Sequence, residues 1–169
     1  MEVFGKEWNS LSLRGFIADM TRFISAILIG SCLTILTLGC SGTRPTNIGV
    51  KDGKLAACPN SPNCVSSQIP ATDEKHSIAP LVYQSKPEEA KKKLVEVIRS
   101  LPRTEIVTEK NDYIYAEFTS FTMRYVDDVE FFFAPDQKTV HVRSASRLGY
   151  SDMGVNRKRI ETIRELFAK

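Results

Sequence analysis

From Thr104 to Ala145 the chain runs through four stretches with a period of two, "TEIVTE", "YIYAEFTSF", "DVEFFFA" and "TVHVRSA", with turn-rich "KND" and "PDQK" among the breaks. Successive side chains of a strand point to opposite faces, so the alternation fixes both the element and its two surfaces. Four such runs in sequence make an antiparallel meander. In the last pair, Val129, Phe131 and Phe133 hold one parity, as do Val140, Val142 and Ser144, while Asp128, Glu130, His141 and Arg143 take the other. A symmetric hairpin about Asp136 and Gln137 sets Glu130 opposite Arg143 and Phe132 opposite His141. One face of the sheet is therefore apolar and the other carries charge.

Around this sheet the period changes. "HSIAPLVYQ", residues 76–84, has strand composition, with Pro80 marking an edge or irregular strand. Pro87, Glu88 and Glu89 then open a helix for which Ser85 and Glu88 can form a capping box. Ala90, Leu94, Val97, Ile98 and Leu101 give it one apolar face, and Pro102 stops it. A second helix near 154–168 carries the stripe Ile160, Ile163, Leu166 and Phe167. The fold class is α+β: an antiparallel meander sheet of about five strands with two helices packed on one face.

The compartment follows from residues 23–39, "FISAILIGSCLTILTLG", which hold no charge. A run of this length is a signal core or a short membrane span. Arg22 precedes it and Cys40 follows it, and "TLGC" resembles a lipobox, departing from it in Thr37, where Leu is usual. Residues 1–19 are an odd prelude to a signal peptide, so Met20 is the expected start. Residues 1–39 are read as a non-mature segment, 40–54 as a polar tether and 55–169 as a single domain. Cys40 is the expected lipid acceptor, which places an exported, membrane-anchored lipoprotein on a periplasmic or thylakoid-lumen face. Removing 1–39 takes away three basic and three acidic residues, so the formal charge stays at +3, too mild for a nucleic-acid partner.

With Cys32 lost and Cys40 acylated, Cys58 and Cys64 remain in "CPNSPNC". In an oxidising compartment they read first as a disulfide. The alternatives are a metal site or a redox pair. A zinc site needs about four ligands, and only His76 and His141 can join the two cysteines, without metal-like spacing. The spacing is also not that of a thiol oxidoreductase. No metal or other cofactor is expected.

Between the last strand and the last helix lies "VRSASRLGYSDMGVNRKR", residues 142–159. Arg143, Arg147, Tyr150, Asp152, Asn156 and Arg157 are the candidate binding residues, because guanidinium forks suit an anion or an acidic protein surface. The competing reading is structural: Asp152 or Ser151 caps the final helix, and arginines pair with Glu117, Asp127, Asp128 and Glu130. No catalytic constellation assembles by spacing. There is no nucleophile elbow and no Gly-rich phosphate loop, and adjacent Asp127 and Asp128 point to opposite faces of a strand.

"CPNSPNCVSSQ", "VDDVEFFF" and "HVRSASRLGYSDMGVNRKRIETIRELF" together resemble the family known as domain of unknown function 1499, over Leu55 to Phe167. The resemblance implies small exported or lipid-anchored proteins of bacteria, with relatives in cyanobacteria and plastids, and no settled activity. It marks Cys58, Pro62, Asn63, Cys64, Arg143, Ser144, Arg147, Gly149, Asp152, Asn156 and Arg157 as pattern positions without giving any of them a role. The expected function is a noncatalytic lipoprotein that binds an anionic ligand or acidic surface through the Arg-rich turn. The alternative is a hydrolase-like enzyme using His141 with a nearby carboxylate.

Overall fold

The computed structural model describes residues 41–135 and 137–169. The expected leader, the lipid acceptor Cys40 and the turn residue Asp136 lie outside them. The described elements follow the order β1 (Cys64–Ser66), β2 (Leu81–Val82), α1 (Pro87–Ser100), β3 (Thr104–Glu109), β4 (Tyr113–Thr119), β5 (Val126–Phe133), β6 (Thr139–Ser146) and α2 (Val155–Ala168). All six strands join one antiparallel sheet, in which β3, β4, β5 and β6 are the meander and both β1 and β2 pair with β6. This is the α+β arrangement the alternation predicts. No helix among the described residues is long and apolar enough to cross a membrane.

The register comes out as parity requires. Glu130 stands opposite Arg143 and Phe132 opposite His141, and the hairpin closes with Phe133 opposite Val140. On the apolar face Ile114, Val129, Phe131, Val140 and Val142 form a fully buried layer. Leu94 and Ile98 of α1 and Ile160 and Ile163 of α2 pack on it, each fully buried. Burial on that scale contributes about 1.5–3 kcal/mol per side chain.

Three local details depart from the sequence reading. The capping box does not form: Lys86 is the N-cap of α1 and offers no side-chain hydrogen bond, while Ser85 sits one residue too early. The fixed φ of Pro87 and the first-turn acids Glu88 and Glu89 start the helix instead. The expected strand over 76–84 shrinks to Leu81–Val82, and a further strand, β1, lies inside the cysteine motif. Three residues are too few for alternation to be visible, and Cys64, Val65 and Ser66 are all buried.

The segment read as a polar tether is a strap across the charged face. Ile48 and Leu55 pack with Tyr113, Tyr115 and Phe132, and the Gly49 amide donates to Glu130 Oε1 at 2.8 Å. Gly42 makes the closest approach. Its φ is +65°, and a Cβ added there would lie 3.1 Å from Arg147 Cβ and 3.1 Å from Leu148 Cγ.

Cys58 and Cys64 are joined by a disulfide, with Cα atoms 5.6 Å apart. The bridge ties the motif loop to β1 and through it to β6. His76 braces the same loop from below, its ring nitrogens facing Asp73 Oδ2 at 2.8 Å and the Ser61 carbonyl at 3.2 Å. Because the bridge spans six positions, chain entropy gives it about 2 kcal/mol. Cys58→Ser should lower the free energy of urea unfolding by that amount, and thiol alkylation of the native, unreduced wild type should label neither cysteine. Ready labelling of both would exclude a structural bridge.

Candidate functional site

The charged face is built by parity from three strands. Tyr113, Tyr115 and Glu117 of β4, Asp128 and Glu130 of β5 and Arg143 of β6 all point away from the helices, and Arg147 follows directly after β6. Glu130 is fully buried. Its Oε2 accepts from Arg143 Nη1 at 3.2 Å, and its Oε1 accepts from the Tyr113 hydroxyl at 2.7 Å as well as from Gly49. Arg143 Nε is buried with no partner among the described residues.

Beside this group stands a second one. Arg147 grips Asp128 side-on, with Nη2 to Oδ1 at 2.7 Å and Nε to Oδ2 at 3.0 Å, and reaches Glu117 Oε1 at 2.5 Å. Such a fork is the strongest geometry a guanidinium offers a carboxylate. Tyr115 Oη lies 2.6 Å from Asp128 Oδ1 and 2.9 Å from Glu117 Oε1, and accepts from Arg147 Nη2 at 3.0 Å. From the strap, Arg44 donates to Glu117 Oε1 at 2.6 Å and lies over the Tyr115 ring. Three carboxylates therefore meet three guanidiniums, the third supplied by the strap.

The titration behaviour follows. Burial, then the neighbouring Glu130, raises the Tyr113 phenol above its ordinary value. Burial followed by hydrogen bonds to Asp128 and Glu117 does the same for Tyr115. Burial alone would raise Glu117, but hydrogen bonds from Arg147, Tyr115 and Arg44 outweigh it and leave the carboxyl below its ordinary 4.5. The Asp128 hydrogen bond holds Arg147 protonated more firmly than usual.

The six binding candidates do not meet at one opening. Arg143 and Arg147 are committed to the carboxylates of the sheet face. Arg157 donates to the carbonyls of Ser77, Glu74 and Lys75, tying α2 to the segment after the cysteine motif. The N-cap of α2 is Gly154 and not Asp152 or Ser151, while Asp152, two residues earlier, accepts the Gly154 amide at 3.0 Å and the Asn156 amide at 2.7 Å. Asn156 is fully buried, bonded to Asp152, Ser144, Ser146 and the Asn63 carbonyl. Tyr150 stands exposed. The partners Glu117, Asp127, Asp128 and Glu130 are those of the structural reading, with Arg159 taking Asp127.

The hydrolase-like arrangement is not formed. The Ser67 hydroxyl accepts the Val142 amide at 2.9 Å and lies 3.2 Å from His141 Nδ1, while the imidazole stacks on Phe132. No carboxylate contacts His141 among the described residues, and burial lowers its pKa. Nor does any group of three or more His, Cys, Asp or Glu among them stand where it would hold a metal ion.

Tyr113, Tyr115, Ser67 and Arg44 were not among the sequence candidates. Parity carried the signal for the tyrosines, since they share the face of Glu117. Arg44 carried none, because the strap has no period.

Fold and face together define an α+β domain whose sheet has a helix-covered apolar side and a strap-covered side of paired charges. The chain belongs to the family described as Protein of unknown function (DUF1499), whose model matches residues 54–167. No curated protein and no solved structure matches the chain.

Breaking a buried pair strands its partner's charge, so Arg147→Ala should lower unfolding free energy by about 3–5 kcal/mol in urea titration. Loss under about 1 kcal/mol would mean the pairing is not structural. Because the folded-state pKa of Glu117 is depressed, its contribution is complete above about pH 4.5 and is lost as pH falls below. Glu117→Gln should remove that part of the acid dependence.

Proposed function

We propose that the chain is an exported, lipid-anchored and noncatalytic domain that receives an anionic partner at the end of the sheet where β6 finishes. The observation that carries this reading is a cavity of about 310 Å³ there, lined on its apolar side by Leu101, Pro102, Phe118 and Val155. Arg103 and Lys158 stand on its wall, both exposed and neither in an ion pair among the described residues. An apolar pocket with a few convergent polar groups is the usual form of a small-molecule site. On the charged face the guanidiniums and carboxylates neutralise one another beneath the strap. The anionic ligand or acidic surface expected from the Arg-rich turn is therefore assigned to its flank, where Arg103 and Lys158 have no carboxylate partner among the described residues.

Export and anchoring are supported by the "TLGC" sequence ending at Cys40 and by the Cys58–Cys64 bridge, which suits an oxidising compartment. Metabolic labelling with a fatty acid should mark the wild type, and Cys40→Ala should remove both the label and membrane retention. An unlabelled wild type still held on the membrane would point to an uncleaved anchor. Titration with a short alkyl phosphate at low salt should shift NMR signals of Phe118, Val155 and Lys158 and leave those of Arg143 in place. Shifts centred on Arg143 would return the site to the charged face.

A further inference from the structure

The same end of the molecule carries an apolar surface that no described element covers. The β4–β5 loop presents Phe121, 78 % exposed, with Met123 and Tyr125. The β6–α2 loop presents Leu148, Tyr150 at 74 % and Met153 at 96 %, with Val155 beside them at the start of α2. These are seven of the nine large hydrophobic residues exposed among the described residues, so the exposure is gathered at one pole. The Arg147 amide donates to the Val126 carbonyl at 3.1 Å, which ties the start of the β6–α2 loop to the end of the β4–β5 loop, and the Ser120 amide donates to the Tyr125 carbonyl at 2.8 Å, which closes the β4–β5 loop on itself. Single exposed apolar side chains are ordinary, whereas a cluster of aromatic and Met residues marks a surface that meets something.

The charges at this pole have one sign to spare. Asp127 is paired with Arg159, and Asp152 accepts the Asn156 amide at the start of α2. Arg103, Arg124 and Lys158 are exposed and unpaired among the described residues. The guanidinium of Arg103 lies 5.4 Å from the Phe121 ring centroid, joining cation and aromatic in one patch.

The chain itself indicates the occupant. Gly42 packs against Arg147 and Leu148, and backbone geometry keeps residue 40 within about 7 Å of residue 42. A lipid on Cys40 therefore enters the bilayer beside this pole. We propose that the pole is a bilayer-seating surface. Phe121, Tyr150 and Met153 enter the boundary between headgroups and acyl chains, and Arg103, Arg124 and Lys158 meet anionic phospholipid headgroups. Aromatic rings favour that boundary, and basic side chains are drawn to an anionic leaflet. The inference rests on the lipid-anchor reading and gives the anionic partner of that reading a class, the membrane's own headgroups.

The sole tryptophan of the chain is Trp8, upstream of Cys40, so a processed chain carries none and each introduced indole reports alone. Full chains with Phe121→Trp, Tyr150→Trp or Val82→Trp are produced in a host that processes lipoproteins. They are then reconstituted into phosphatidylglycerol and phosphatidylethanolamine vesicles with brominated acyl chains. Val82 pairs with the opposite end of β6 and serves as the distal probe. Bromine should quench the first two variants by about half or more and the third little, since it reaches only indoles seated near the acyl boundary. Adding Arg124→Glu and Lys158→Glu should reduce quenching on these vesicles and not on neutral phosphatidylcholine ones. The mass of the N-terminal peptide from the same samples reports the lipid on Cys40. A lipidated chain whose three probes respond alike overturns the seating surface and leaves the anchor intact. A chain without lipid removes the anchor, and the surface falls with it. Self-association that shields the indoles from bromine overturns the surface as well.

Discussion

Three carboxylates on one face of a sheet, with Glu130 wholly out of water, are accommodated there by cations that reach them in good geometry. Taking such charges from solvent costs several kcal/mol each unless hydrogen bonds replace the water. Arg143 comes from the neighbouring strand, Arg147 from the residue after it and Arg44 from the strap. The two tyrosine hydroxyls and the Gly49 amide fill the remaining acceptor sites. Register, strap and the path of the chain out of β6 are thus fixed by one requirement. A slip of a single residue between β5 and β6 would carry Glu130 and Arg143 to opposite faces.

What the sequence disclosed followed from periodicity. Alternation in "DVEFFFA" and "TVHVRSA" was enough to place Glu130 against Arg143, and helical spacing was enough to bring Leu94, Ile98, Ile160 and Ile163 to the core. Where no period exists, the sequence was silent. The strap between Arg44 and Leu55 is polar and carries Gly and Pro, which is also how a free linker reads; its docking depends on partners more than 70 positions away. β1 was hidden because its neighbours in space, Ala145 to Arg143, are remote in sequence. The Arg-rich turn disclosed both of its readings at once, since guanidiniums suit carboxylates of the same chain as well as those of a ligand. Only the positions of the carboxylates decide between them.

The family match begins at residue 54, ten positions after Arg44. The third cation of the charged face and the Gly49 amide therefore come from outside the matched region. Within it, Arg143 and Arg147 leave Glu117, Asp128 and Glu130 with one negative charge in excess. The strap completes the balance of a face that the matched region alone leaves uneven.

The pairing of β1 and β2 with β6 has a consequence for the order in which an emerging chain can fold. Cys64 finds its strand partner at Ala145 and Asn63 its acceptor at Gly149, 86 positions on. β1 and β2 thus have no strand to pair with until β6 is available, and closing so long a loop is slow compared with forming the local β4–β5 and β5–β6 hairpins. A chain emerging N-terminus first therefore holds Cys64 off the sheet until β6 follows. The local hairpins would come first and the docking of the cysteine motif second, with the final strand acting as the latch that ends the interval.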